Sequence, residues 1–474
     1  MSDKFTCCPI DRLLKWILEE EKQGAIFGIP KELFFIPQHS DVFKMKRYGQ
    51  DLETPIGVAA GPHTQLSQNI ISAWLTGARY MELKTVQTLD ELEVTKPCID
   101  MTDEGYNCEW SQELKLEQSF NEYLNAWIIL HILKDKFGWG STGSRGFIFN
   151  MSAGYNLEGI LNSNVQTFLD KMTDCAAEKA AKIDTLSRIY PPVRDLGIPD
   201  RITDNITIST MHGCPPEEVE KIGRYFIEDR KLHTTIKLNP TLLGPEKLRG
   251  ILNSELGFDV EVPDIAFEHD LKYEAGLALI ESLRASAGKV GVEFNLKLTN
   301  TLETTNRDQN LPENEQMVYM SGRALHPISV HLARRLQNEF NGELDISFSA
   351  GTDSFNVTDI LACNMRPVTV CSDILKPGGY GRLGQYLEEI SLCFAEAGSD
   401  SIGAFISTRA HTQDVVRAGL ENLQAYAAAL VADKIYQKSN FPYESIKIAR
   451  ELTAFDCVKA PCVATCPASQ DIPG

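Results

Sequence analysis

Short apolar runs alternate with longer amphipathic stretches along most of this chain. The runs fall at residues 56–60, 80–86, 146–151, 206–209, 234–238, 292–299, 344–348 and 367–370. Each has the length and composition of a buried strand. Stretches of helical period follow most of them, at 165–181, 216–229, 275–284, 324–340 and 383–397. Such alternation predicts parallel strands joined by crossover helices. Eight strands predict a closed barrel rather than an open sheet, so the expected fold class is α/β, a (β/α)8 TIM barrel. Ahead of it, residues 11–21 predict a helix with Leu13, Leu14, Ile17 and Leu18 on one stripe, followed by a Pro/Gly-punctuated linker. Segments 86–143 and 241–291 are too long for minimal barrel connections and read as insertions, over the mouth or between protomers; a homodimer is therefore one expectation. An Ala-rich helix is predicted over 412–438.

The length changes this picture little. A chain of 474 residues ordinarily makes two or three domains, but an enlarged barrel can exceed ~400 residues as one unit. The expected division is a helical segment at 1–50, the barrel at 51–410, a helical linker at 411–450 and the start of another domain at 451–474. Charge narrows the function. Lys plus Arg is 46 against 65 Asp plus Glu, a formal net charge of −19, which disfavours nucleic acid and anionic membrane surfaces. No apolar run approaches the ~20 residues that span a bilayer, and residues 1–8 hold no apolar signal core. The expectation is a cytoplasmic protein, in which twelve cysteines serve metal binding or catalysis more readily than stable disulfides.

In a barrel of this kind the chemistry sits at the C-terminal ends of the strands, where several unusual residues fall. Gly351-Thr352 after the seventh strand and Cys371-Ser372-Asp373 after the eighth form a candidate phosphate cradle, unless the glycine only permits a tight turn. Lys84 and Lys237 interrupt apolar strands. A buried lysine needs a counter-charge, so each meets a ligand or carboxylate there, or snorkels to the rim beside a Glu. Cys214, in His212-Gly213-Cys214-Pro215-Pro216, stands where a strand hands over to a helix. It is a candidate proton donor whose thiolate the helix terminus would favour, or else a small buried hydrophobe. His212 is the alternative acid. The amides of Asn156 and Asn300 can bind a planar ring bearing alternating C=O and N–H groups, or cap local turns. Near the end, Cys457, Cys462 and Cys466, followed by Pro467, have the spacing of an iron–sulfur ligand run; structural zinc is the competing reading. The chain stops a few residues later, which reads as a fragment of something longer.

Several of these motifs together resemble a known family. Ile56-Gly57-Val58-Ala59-Ala60-Gly61, Leu83-Lys84-Thr85, Lys237-Leu238-Asn239-Pro240, Thr299-Asn300-Thr301, Ser321-Gly322-Arg323 and Ser349-Ala350-Gly351 look like dihydroorotate dehydrogenases. Gly154-Tyr155-Asn156 and Cys214-Pro215-Pro216-Glu217-Glu218 are similar to the pyrimidine-reducing domain of dihydropyrimidine dehydrogenase. The run from Ala460-Pro461-Cys462 to Cys466-Pro467 resembles the start of its glutamate synthase small-subunit-like iron–sulfur domain. Barrel first and cluster second resembles the iron–sulfur/flavin subunits of selenate-reductase type. The resemblance implies FMN in the barrel mouth, held by Ala60, Gly61, Lys84, Thr85, Lys237, Gly322, Ala350, Gly351, Thr352, Cys371 and Ser372. Asn156, Asn300 and Thr301 would hold substrate, with Cys214 and Lys84 as the catalytic candidates. Cys457, Cys462 and Cys466 would supply part of a [4Fe-4S] ligand set, with FAD and NAD(P)H sites downstream.

Three departures from that pattern stand out. The family's Asn-Leu-Ser-Cys-Pro is replaced by Ser209-Thr210-Met211-His212-Gly213-Cys214, the fifth-to-sixth connection is longer, and Ala454 stands where a leading cysteine would be. The expected function is an FMN-dependent oxidoreductase that reduces a planar nitrogen heterocycle, a pyrimidine or an oxidised purine such as urate. The alternative is a flavin/iron–sulfur electron-transfer subunit of a larger reductase. An oxyanion such as selenate would want clustered arginines, and none falls at the predicted mouth.

Overall fold

The computed structural model describes residues 6–86, 88, 97–101, 103–108, 113–139, 144–209, 214–307 and 311–440. His212 and the cysteines at 457, 462 and 466 lie outside the described residues. Eight parallel strands close into a barrel in chain order. They are β1 (Ile56–Val58), β2 (Tyr80–Glu82), β3 (Ile148–Ala153), β4 (Asn205–Ser209), β5 (His233–Leu238), β6 (Phe294–Leu298), β7 (Ile346–Phe348) and β8 (Val368–Val370). All eight lie within or against the predicted apolar runs. Val368 of β8 pairs with Ile56 of β1 and shuts the ring. The fold is the expected (β/α)8 TIM barrel.

Crossover helices cover the outside, the longest being Leu116–Phe137, whose buried residues include Trp127 and Tyr123. The helix Ile10–Lys22 buries Ile10, Leu13, Leu14 and Ile17 and joins the same core. No helix among the described residues is long and apolar enough to cross a membrane.

The linker expected before the barrel instead contains a hairpin, Met45–Arg47 paired with Gln50–Leu52, which plugs the N-terminal end of the ring. Arg47 is buried and donates to Asp345 at 2.6 Å and to the Arg366 carbonyl, at the feet of β7 and β8. Tyr48 stacks on His233 and its hydroxyl meets Thr235 Oγ1 at 3.1 Å inside the barrel. Such filling is normal for this fold, whose interior is a packed core and not a pore.

The opposite end carries a cap. A four-stranded antiparallel sheet runs in the order Leu302–Thr305, Met317–Ser321, Gly105–Asn107, Ile99–Asp100. The insertion after β2 supplies two strands and a hairpin after β6 supplies the others. The first insertion was expected; the hairpin was not. Burial alternates along both strands, the pattern of a sheet packed on one face; Leu302–Thr305 has a single large apolar residue, and Met317–Met320 is apolar but short. The second insertion is helical, and the helix Val415–Leu430 packs on Leu325–Glu339 against the barrel wall.

Gly57 lets β1 and β2 approach, because a Cβ there would lie 1.9 Å from the Tyr80 carbonyl oxygen. Gly57→Ala should therefore destabilise the fold by at least ~1–3 kcal/mol. Gly288→Ala, on a helix face with open space around it, should be neutral or stabilising by up to ~1 kcal/mol. Urea denaturation of the two variants beside the parent chain checks both signs.

Candidate active site

A cavity of about 520 Å³ lies at the C-terminal end of the barrel, beneath the cap. Charged residues that enter from the strands lie beneath and around its floor. Glu82 ends β2 and faces the barrel interior, fully buried. One of its oxygens accepts from Lys297 Nζ at 2.5 Å, and the other accepts from the Ala60 N–H at 3.2 Å. Lys297, on β6, also donates to Thr369 Oγ1 on β8 at 2.6 Å. This carboxylate and its lysine were not singled out in the sequence. The available signal was charge inside otherwise apolar strands, the one that drew attention to Lys84 and Lys237.

Those two lysines both line the cavity. Lys84 is buried and Lys237 half-buried. Burial pulls the Lys84 ammonium down to about 8, against the opposing pull of Glu113 and the thiols of Cys371 and Cys98. Lys237 also falls to about 8, through burial and then repulsion from Lys297, with Glu82 resisting. Burial lowers Lys297 too, against Glu82. Cys371 completes the cluster: burial raises its thiol, while Lys237 and Lys84 oppose that rise. Its sulfur sits 3.8 Å from His63 Nδ1.

The loops after β7 and β8 bring Ala350, Gly351, Thr352, Cys371 and Ser372 to one side of the cavity. Gly351 has φ +55°, and a Cβ on it would strike the Gly322 carbonyl at 2.3 Å, so the loop needs glycine there. Gly322 stands behind this wall rather than on it. Thr352 Oγ1 is buried and has no hydrogen-bond partner among the described residues. A polar chain supports the loop from behind. His326 Nδ1 donates to the Ala350 carbonyl at 2.8 Å, and its Nε2 accepts from Tyr426 at 2.7 Å. Burial holds this imidazole at about 4, so it is neutral at pH 7 and carries its proton on Nδ1. Tyr436 stacks on the same ring, and Asn356 Nδ2 donates both to the Tyr436 hydroxyl and to the Gly351 carbonyl.

Ala60, Gly61, Thr85, Asn300 and Thr301 also line the cavity. Thr85 is fixed by Ser152 at 2.7 Å and Asn300 donates to Asn239 at 2.7 Å. Besides Gly322, two expected residues are not on its wall. Asn156 caps the short helix Leu157–Ile160, with its Oδ1 accepting from the Gly159 N–H at 2.9 Å, the turn role weighed for it above. Cys214 precedes the helix Pro216–Arg224, half-buried against the core. Burial and then Glu218 push its thiol up to about 11, so the environment keeps it protonated rather than favouring thiolate. That state can donate a proton but does not make a nucleophile at pH 7.

The cap is fastened at its edge. Arg323 grips Asp103 with two bonds of 2.6 and 2.9 Å and reaches the Ile435 carbonyl at 2.9 Å. Lys438 joins them through Asp103 and Glu104.

Fold and site together define a (β/α)8 barrel with a lysine-rich mouth closed by an inserted sheet. Residues 27–438 match the family model described as Oxidoreductase YgfK, N-terminal TIM-barrel domain. The chain belongs to that family. It is 41% identical to the protein named "Putative oxidoreductase YgfK" from Escherichia coli K12, and equally to that of Escherichia coli O157:H7. All of this chain is covered but only 46% of each relative, so it spans about half their length. Among solved structures, DHODH from Eimeria tenella in complex with ferulenol has the same fold. It matches at a TM-score of 0.51 and 14% identity, covering 85% of this chain and 95% of that one.

The lysines give a signed pH prediction. A lysine in the unfolded chain titrates near ~10.4. Lys237 binds its proton more weakly when folded, so the charge destabilises the protein below about pH 8. That cost is relieved as pH rises toward the unfolded value. Lys237→Met should be the more stable protein at pH 7, with its advantage fading between pH 8 and roughly 10.4. Denaturation midpoints of both proteins across that range check the sign.

Proposed function

We propose that this barrel is the FMN-binding half of an oxidoreductase that reduces a planar nitrogen heterocycle. The observation that carries the reading is the cavity itself, with Lys84 and Lys237 on its floor and the Gly351–Thr352 turn on one wall. The residues present fit the cofactor. Two ammonium groups suit the electron-rich end of a flavin ring. Gly61 leaves no room for a side chain, since a Cβ would come 2.7 Å from the His63 ring, so backbone alone approaches a ring there. The Thr352 hydroxyl, without a partner among the described residues, suits a phosphate oxygen, in the loops where this fold ordinarily binds one. When bound, FMN supplies the hydride chemistry, while the protein orients the reactants and manages a proton.

On this reading Lys84 and Lys237 hold the ring and ribityl chain, and the turns after β7 and β8 hold the phosphate. Asn300, fixed by Asn239, presents its amide to the substrate with Thr301. Cys214, kept protonated by burial, is the proton donor. The substrate class is a pyrimidine or oxidised purine, whose alternating C=O and N–H groups an amide matches better than a charged side chain does. FAD, NAD(P)H and a [4Fe-4S] cluster belong to the same proposal as partners in electron delivery from other parts of the protein.

A second reading, an electron-transfer unit serving another reductase, is favoured by one observation: Cys214 is not on the cavity wall. The two diverge experimentally. FMN-loaded protein, reduced anaerobically, is mixed with uracil, thymine, urate or xanthine while the flavin absorbance is followed. The first reading expects one of them to reoxidise the flavin faster than buffer, and Cys214→Ala to slow this by ~10²-fold or more with FMN still bound. Reoxidation by none of the four counts against the heterocycle. Unchanged electron flow in Cys214→Ala favours the electron-transfer unit.

FMN affinity should also fall as pH rises through about 8, where Lys84 and Lys237 lose their charge. Flavin fluorescence titrations between pH 6.5 and roughly 9.5, with Lys84→Met as the uncharged reference, measure it.

A further inference from the structure

The cap hairpin carries two thiols that the reading above does not use. Cys98 immediately precedes the strand Ile99–Asp100, and Cys108 immediately follows Gly105–Asn107. The register sets Ile99 opposite Asn107 and Asp100 opposite Tyr106. One step further, Cys98 falls opposite Cys108, and the Cys108 N–H donates to the Cys98 carbonyl at 2.9 Å. Residues directly opposite in an antiparallel pair send their side chains to the same face. Directly opposite residues have Cα atoms about 4.5–5.5 Å apart. A disulfide spans Cα separations of ~4.4–6.8 Å. Both cysteines are free thiols and both line the cavity. Their surroundings differ. Cys98 is partly exposed, whereas Cys108 is buried with Leu311 and Val318 in a small apolar cluster separate from the barrel core.

We propose that Cys98 and Cys108 are a reversible redox pair that closes into a disulfide on the cavity wall by exchange with a low-molecular-weight disulfide entering the cavity. The Cys98 thiolate attacks one sulfur of the incoming RSSR. A Cys98–S–S–R bond forms, the R–S–S–R bond breaks, and RS⁻ leaves. Cys108 then loses its proton and attacks Cys98 Sγ, expelling the second RS⁻ as the Cys98–Cys108 bond forms. The two leaving thiolates take up the two protons the cysteines released. Two protein thiols are oxidised by two electrons in all, and one RSSR is reduced to two RSH. Access sets the order, because the first attack is bimolecular and needs the exposed sulfur. Burial pushes the Cys108 thiol up to about 11, so it reacts only once its target is held beside it. Such pairs occur in reducing compartments as transient, functional bonds. Closure staples the hairpin that places Met101 and Tyr106 on the cavity wall and Asp103 in the grip of Arg323.

The proposal stands apart from the flavin reading, and its test needs no flavin. The full chain is incubated with 2-hydroxyethyl disulfide at pH 8, free thiols are alkylated, and the peptides are mapped by mass spectrometry. The expected result is near-complete loss of free Cys98 and Cys108, a peptide linking the two, and recovery of both with dithiothreitol. Cys108→Ser should stop at a mixed disulfide on Cys98, and Cys98→Ser should leave Cys108 unmodified. The proposal is overturned if both cysteines of the unmutated protein stay alkylatable while partly exposed Cys8 reacts. It is equally overturned if each ends as a separate mixed disulfide with no link between them.

Discussion

One fully buried carboxylate, Glu82, stands between Lys297 and Lys237 inside a closed barrel, while Glu113 answers Lys84 at the mouth. Burying an unpaired ammonium is costly, and burying several in one place more so. Glu82 makes the arrangement tolerable by giving one oxygen to Lys297 and the other to the Ala60 amide, which joins β2 to β6 and to the end of β1. Lys297 is thereby paired in place beneath the floor. Lys84 and Lys237 share the remaining field, with their charge held less firmly than in water. The cavity lining thus sets Lys84 and Lys237 against Glu113 and Glu303, a mixed rather than a single-signed field.

The rest of the molecule serves to keep that floor in position. The hairpin at residues 45–52 fills the lower end, where Arg47 and Tyr48 replace water with packed rings and an ion pair. Behind the β7 loop, the neutral His326 fixes the Ala350 carbonyl, and the helix Val415–Leu430 fixes His326 through Tyr426. Above, the cap joins two insertions into one sheet and is held at its edge by Arg323 and Lys438. Support from below and behind is buried and dense. The cap has its own small apolar cluster, while Leu302 and Met320 tie its central strands to the main core.

The barrel was legible because parallel strands covered on both faces leave continuous apolar runs. The candidate phosphate turns and both mouth lysines were legible because strand ends were legible, and in this fold chemistry follows strand ends. The pairing of Glu82 with Lys297 spans 215 residues and has no local spacing to betray it. The His326–Tyr426 support likewise joins positions 100 residues apart. The cap escaped for a different reason. Its strands, two to five residues long, include Ile99–Asp100 and Gly105–Asn107, which carry too little apolar pattern to read as strands; they pair with each other, and Gly105–Asn107 meets Met317–Ser321 across the mouth. At Asn156 the plain alternative was the better guide, since an Asn before a short helix caps it by simple reach.

The filled lower end has a kinetic meaning. With Arg47, Tyr48 and Tyr80 packed into that end of the ring, small molecules reach the described cavity from the cap side. A molecule on the floor then has packed side chains beneath it, so what enters over the cap also leaves over it.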